Sequence, residues 1–254
     1  MWCFANDHSE SIITASNQIH CADHTYRLHL PETAIVFFMS KGTTYLAKHY
    51  NAVELSEPFP CFLNRRPIWK IKNLNSCFLD GGRGAPQAVD TVETLAALGV
   101  KNIIAVGMCG AYAAHVHVGE IIAPQKAFIE EGTSLHYYEA IEASFPNADL
   151  LNKATKLLSV SSCPIVSTDA IYRQTFFKEA LWREKGAVGV DMETSALFSV
   201  SQYLGLKAVA LLMVSDVHPV YQGAPKWEWN MTRDMRYQLT EQGILLAKTL
   251  LSKP

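Results

Sequence analysis

The sequence lacks the marks of several protein classes. No stretch approaches the ~18 consecutive apolar residues of a membrane span. Its longest apolar runs, such as Leu206 to Val214, are short or broken. The first twenty residues, MWCFANDHSESIITASNQIH, hold no basic segment followed by an apolar one, so no secretory signal is expected. The six cysteines (3, 21, 61, 77, 109 and 163) are irregularly spaced, without a C-x-x-C, the pattern of free thiols in a reducing compartment. A cytoplasmic setting is the expectation. There is no basic excess: 22 Lys and Arg stand against 24 Asp and Glu, which excludes a nucleic-acid footprint while leaving room for a locally basic anion site. No metal-ligand pattern occurs; the nearest, His115 and His117, reads as a His-rich loop or strand end, and no metal or cofactor is expected. Neither repeats nor low-complexity tracts stand out. Charged residues make up only 18% against 49% hydrophobic, which excludes a solvating, disordered chain. With 254 residues the chain is long enough for one large α/β domain with a sizeable core.

What is present is an alternation. The first thirty residues are polar and mixed, and read as an N-terminal extension (1–30) ahead of a single domain (31–254). Thr33 to Met39 is a compact β-forming run, followed by Gly42 and a helix-like TYLAKHY. Ile68 to Ile71 and Ser76 to Leu79 read as a hairpin around Asn73 to Asn75. Apolar residues at 89, 92, 95, 96 and 98 recur at helical spacing from Pro86 to Leu98, with Gly99 as a stop. Asn102 to Val106 is a strand ending in Gly107, and Glu120 to Ala123 another. A helix over 149–159, a strand over 164–166 and a helix over 175–185 follow. A strand at 189–192, a helix over 193–204, a buried strand over 208–214 and a last helix over 231–251 complete the pattern. Apolar strands alternating with amphipathic helices predict an α/β fold: one central, mixed, twisted sheet with helices on both faces.

Ligands in such sheets sit at the carboxyl ends of strands. Three strand ends carry candidate chemistry. Gly107-Met108-Cys109-Gly110 reads as a turn whose backbone lets a flat ligand approach. Val190-Asp191-Met192-Glu193 opens a helix with two acids, which suit the helix N-terminus and equally suit a vicinal diol such as a ribose, with Met192 against the sugar. Asp216 directly follows the most apolar strand; burial there is expected to raise its pKa and make it a general acid. An N-cap or Asx turn by Ser215 or Asp216 is the structural alternative.

These segments, taken in order, resemble the nucleoside phosphorylase/uridine phosphorylase group, which also contains the methylthioadenosine nucleosidases. The resemblance runs from about Thr33 to the C-terminal helix. GGRGAP at 81–86, AVGMCGA at 105–111, EEGTSLHYY at 130–138, STDAIYRQ at 167–174, GVDMETSAL at 189–197 and VSD at 214–216 carry it. It implies that Glu193 binds the ribose hydroxyls with Met192 and Asp191 beside it. It implies a base slot lined by Cys109, Gly110, Tyr172 and Val190, and Asp216 as the purine-type acid. It also implies a homo-oligomer, a dimer or a trimer of dimers, whose neighbouring subunit often completes the site; His20, His24 and His29 are the N-terminal candidates for that contribution.

The phosphate half departs from the family pattern. Where the family has G-D-P-x-R, this chain has Gly42-Thr43-Thr44-Tyr45-Leu46; the second phosphate arginine is Ala105, and the usual hydroxyl donor is Met108. A phosphate dianion needs charge-assisted donors. Gly42, Met108 and above all Arg83 are the remaining candidates for that side, with Lys41, Arg65 and Arg66 as further cations. Three readings follow: phosphorolysis of a purine-type nucleoside, with phosphate as co-substrate, on a rebuilt anion site; hydrolysis, with Glu130, Glu131 or Glu193 as base; or nucleoside binding without catalysis. Asp216 favours catalysis, because a binder has no use for an acid at the base. Trp227, Trp229 and Lys226 fall in a stretch that would either lie over the base as a lid or cap the core.

Overall fold

A computed structural model describes residues 9–21, 28–56 and 58–250. The elements are α1 (Ala15–Cys21), β1 (Thr33–Phe37), α2 (Gly42–His49), β2 (Ala52–Ser56), β3 (Ile68–Ile71), β4 (Ser76–Asp80), α3 (Ala85–Ala97), β5 (Asn102–Ala111), β6 (Ile121–Ile122), β7 (Lys126–Glu130), β8 (Ala143–Ser144), α4 (Ala148–Leu158), β9 (Pro164–Thr168), α5 (Phe176–Glu184), β10 (Gly189–Asp191), α6 (Thr194–Tyr203), β11 (Lys207–Val217) and α7 (Arg233–Lys248). Short 3-10 turns cover Thr133–His136 and Ile171–Arg173.

Strand periodicity sorts the core into two layers. Ala34 and Val36 of β1, Ile103 and Ala105 of β5, and Ala208, Ala210, Leu212 and Val214 of β11 face one cluster, which takes in α3 and α6. Ile35 and Phe37, Ile104 and Val106, and Val209, Leu211 and Met213 face the other, with α2, α4 and α7. Both faces of these strands are covered, which is why their sequences are continuously apolar. The fold is the predicted α/β architecture: one mixed sheet with helices on both sides.

Sheet order is β2-β3-β4-β1-β5-β10-β9-β7-β8, with β11 paired to β5 and β6. β5 is the hub. Its first half pairs in parallel with β1, its end pairs antiparallel with β10, and β11 runs parallel along its length. The hairpin predicted around Asn73 to Asn75 is present, Trp69 opposing Phe78 and Lys70 opposing Cys77.

Two boundaries differ in a way that matters. The strand predicted to stop at Gly107 continues to Ala111, so the expected Gly-x-x-Gly turn is extended backbone. Pairing on both edges overrides the glycine signal there: β11 and β10 satisfy its backbone groups up to the last residue. The strand predicted over 208–214 likewise runs to Val217 through a bulge between Val214 and Asp216. β2 and β7 were not predicted, since neither carries a long apolar run. Within the predicted extension, α1 packs on α3 and buries Ile19. Among the described residues, no helix is long and apolar enough to cross a membrane, and no group of three or more His, Cys, Asp and Glu is arranged to hold a metal ion. His115 and His117 lie exposed in a loop.

Candidate active site

The end of β5 organises the site. Val190 of β10 and Asp216 of β11 both stand opposite Gly110, so these three predicted residues form one row across three strands. Gly110 is required by close approach: a Cβ there would collide with Nε2 of His218 and lie 3.1 Å from Asp216 Oδ2. Cys109 alternates inward, is 2% exposed and belongs to the apolar core, so its thiol is packed away and only its backbone borders the row. Burial, then the charges of Asp191 and Asp216, push its pKa well up.

The bulge sets Asp216. Ser215, the extra residue, donates its hydroxyl to the Cys109 carbonyl at 3.1 Å and to Asp216 Oδ1 at 2.5 Å. Asp216 Oδ2 accepts from Trp227 Nε1 at 2.6 Å and lies 3.1 Å from His218 Nε2. The sequence-based expectation of a raised pKa is overturned here. Burial does push the carboxyl up, but the hydrogen bonds from His218, Ser215 and Trp227 outweigh it and hold it below the ordinary carboxylate range. The tryptophan stretch does reach the site, since Trp227 ends on Asp216 while its ring remains half exposed.

At the β10–α6 junction the two acids divide their work. Asp191 accepts Ser167 Oγ at 2.5 Å on one oxygen, and Thr194 N at 3.0 Å and Oγ1 at 2.5 Å on the other. Its oxygens are committed to β9 and α6, which corrects the expectation that it faces a sugar. Glu193 is different: its Oε1 accepts the Gly84 backbone N–H at 2.6 Å, in front of the N-terminus of α3. Gly84 holds φ +81° and Gly82 φ +83°, a left-handed backbone that glycine adopts at no steric cost and that aims this N–H. Burial, then the neighbouring Asp191 charge, push the Glu193 carboxyl up, while Arg83 pulls it down. Met192 is half-buried beside it.

The two missing arginines are accounted for by packing. Leu46 is fully buried in one core layer and Ala105 1% exposed in the other, so neither position faces a ligand. Met108 is half-buried, and its sulfur receives Nη1 of Arg236 at 3.3 Å. Burial and then the charge of Arg83 depress the Arg236 pKa, so Arg83 lies within electrostatic reach of Arg236. Arg83 pairs with Asp80 at 3.0 Å; Arg236 makes no ion pair among the described residues. Sequence reasoning missed Arg236, although a signal existed. It lies on the same stripe of α7 as buried Leu239, Thr240 and Gly243, an inward position for a cation. His218, two residues after Asp216 and just past the end of β11, was missed as well.

Other predicted positions are not brought together. Tyr172 is 94% exposed on its 3-10 turn, away from the packed row. Gly42 is buried at the start of α2, where a Cβ would strike the Phe37 ring; it opens the helix after β1. Lys41, Arg65 and Arg66 are exposed, as is His20. His24 lies outside the described residues. Of the proposed bases, Glu131 is consumed by Ser134 and Ser195, and Glu130 pairs with Lys178.

The profile of the family described as "Phosphorylase superfamily" matches residues 33–248. The chain belongs to that superfamily. A guanosine phosphorylase of Halorubrum lacusprofundi is 30% identical over 138 residues, 52% of this chain and 57% of that protein. A purine nucleoside phosphorylase DeoD-type of Clostridium novyi is 32% identical over 142 residues, 53% of this chain and 61% of its own. The alignments thus span somewhat over half the length of these relatives. In three dimensions the chain is similar to AMP nucleosidase from Bacteroides thetaiotaomicron, with a TM-score of 0.71 over 87% of this chain and 89% of that one, at 20% identity. That likeness concerns the fold; the superfamily assignment rests on the matched sequence.

Proposed function

We propose that this member of the superfamily cleaves the N-glycosidic bond of a purine-type nucleoside by phosphorolysis. Glu193 holds the ribose hydroxyls, with Met192 against the sugar. The Gly110–Val190 backbone forms the base slot, and Asp216 serves the departing base. The observation that carries the reading is Arg236, whose guanidinium meets the Met108 sulfur and no carboxylate, with Arg83 within electrostatic reach. A guanidinium with no internal counter-ion, within reach of a second one, favours an anion at that spot. Water as nucleophile would need a carboxylate base; Glu131 is committed to Ser134 and Ser195, and Glu130 pairs with Lys178 through one oxygen while the other is buried without a partner. In this reading the anion that stabilises the oxocarbenium-like sugar is the co-substrate itself. The reading brings with it a cytoplasmic, purine-salvage setting and a homo-oligomer, dimer or trimer of dimers.

The test is base release from inosine, adenosine, uridine and methylthioadenosine, each with and without phosphate. The expected result is purine release that requires phosphate, with uridine left intact, and loss of release in Asp216→Asn. Release indifferent to phosphate would make the protein a hydrolase, and binding without any release would leave a nucleoside-binding protein.

A further inference from the structure

Asp216 is part of a longer chain of groups. His218 stands between two carboxylates, its Nδ1 2.6 Å from Glu179 Oε1 on α5 and its Nε2 3.1 Å from Asp216 Oδ2 on β11. All three side chains are largely enclosed: His218 is 14% exposed, Glu179 7% and Asp216 5%. Around them stand Tyr112, whose ring centre lies 6.4 Å from the imidazole, and Trp227, which donates to the same Asp216 oxygen. Arg183 reaches the Tyr112 carbonyl from α5 at 3.5 Å. Two acids against one imidazole is the arrangement of a histidine kept as its cation. The imidazole also lies directly over Gly110, in the slot rather than behind it.

We propose that His218 is the proton reservoir of the site, a positioning residue that Glu179 holds in place and that recharges Asp216 as the base departs. This rests on the phosphorolysis reading. An ionised Asp216, fixed by three donors, has no proton of its own to give. When the bond between the sugar carbon and the base nitrogen breaks, its electron pair moves into the purine ring. The His218 Nε2 proton transfers to Asp216 Oδ2, and Asp216 hands that same proton on to a ring nitrogen of the base. A phosphate oxygen forms the new bond to the sugar carbon. One proton has moved from imidazolium to base; His218 is left neutral, its Nδ1–H still on Glu179, and is reprotonated from solvent.

Burial alone would pull the imidazole pKa down, but hydrogen bonds and charge from Asp216 and Glu179 push it up to about 9. The sign follows: the proton is available below that value and lost above it, so turnover has an alkaline limb rather than an acidic one. The experiment is the pH profile of kcat for the wild type, Glu179→Gln and His218→Asn, alongside the NMR titration of the His218 ring in wild type and Glu179→Gln. Wild-type kcat is expected to hold through neutrality and fall near pH 9. In Glu179→Gln the fall moves to lower pH by about a unit or more, the worth of one lost charge partner. His218→Asn loses about 10²-fold in kcat at neutral pH, the usual contribution of a placed acid, and keeps activity only in the acid range where Asp216 is protonated.

A purely structural histidine would lower the rate at every pH with no shift of the limb. An unshifted limb in both variants overturns the proposal, and so does a His218 titration near the ordinary value of ~6.5. The titration needs no turnover. A wild type that releases no base therefore defeats the phosphorolysis reading and the delivery step with it, whereas a low titration with normal base release defeats the reservoir alone.

Discussion

Arg236 occupies an inward position on α7, where an aliphatic side chain would ordinarily stand, and its guanidinium meets a thioether instead of a carboxylate. A half-buried cation within reach of a second cation and of no carboxylate is favoured by an anion that joins them. In Arg236→Ala the KM for phosphate is expected to rise about 10- to 100-fold, following from ~1.5–3 kcal/mol per charge-assisted hydrogen bond, while the KM for the nucleoside stays close to wild type. Steady-state kinetics with each substrate varied in turn measures this; an unchanged phosphate KM would remove Arg236 from the anion site. At this scale the placing of Glu193 and Asp216 at strand ends was legible, because both sit in short motifs after apolar runs. The anion site was not. Leu46 and Ala105 show where charge had gone, but which cation replaced it depends on how α7 packs against β5, a contact far apart in sequence. The pKa direction of Asp216 was misread for a similar reason. Its burial was visible in the apolar strand before it, while two of its three donors, His218 and Trp227, depend on how the segment after β11 folds back.

The β10–α6 junction illustrates how elements hold the chemistry. Asp191 ties β9 to the first turn of α6 through Ser167 and Thr194, and Ser167 Oγ in turn accepts the Ser195 N–H at 2.9 Å. This network fixes the backbone from which Met192 and Glu193 project. Burial pushes the Asp191 carboxyl up, and the hydrogen bonds from Ser167 and Thr194 pull it partly back, so the carboxylate is held at some cost to the fold. Asp191→Asn mismatches at least one of its donors and is expected to cost about 2–4 kcal/mol in urea unfolding, the range for disrupting a buried charged network. A variant with wild-type stability but a weakened nucleoside KM would instead return Asp191 to the sugar. The junction itself was legible as strand then helix. The continuation of β5 through Gly107 and Gly110 was not, since a lone strand's sequence does not state that both its edges are paired.

Across the whole molecule, the alternation of apolar runs and amphipathic segments was enough to give the two-layered sheet, because strands buried on both faces cannot be written any other way. The order of strands was not readable, and that order is what brings Gly110, Val190 and Asp216 into one row while α3 delivers the Gly84 N–H to Glu193. The site therefore joins parts of the chain more than a hundred residues apart, and the proposed roles of sugar-holding carboxylate, base slot, acid and anion site all depend on that juxtaposition. Its central claim is that the anion is a reactant. The most direct measurement is phosphorus NMR of the product formed from a purine nucleoside in phosphate buffer. A pentose 1-phosphate resonance growing in step with released base is the predicted result. Base released at the same rate whether or not phosphate is present, with no pentose 1-phosphate resonance, would contradict it.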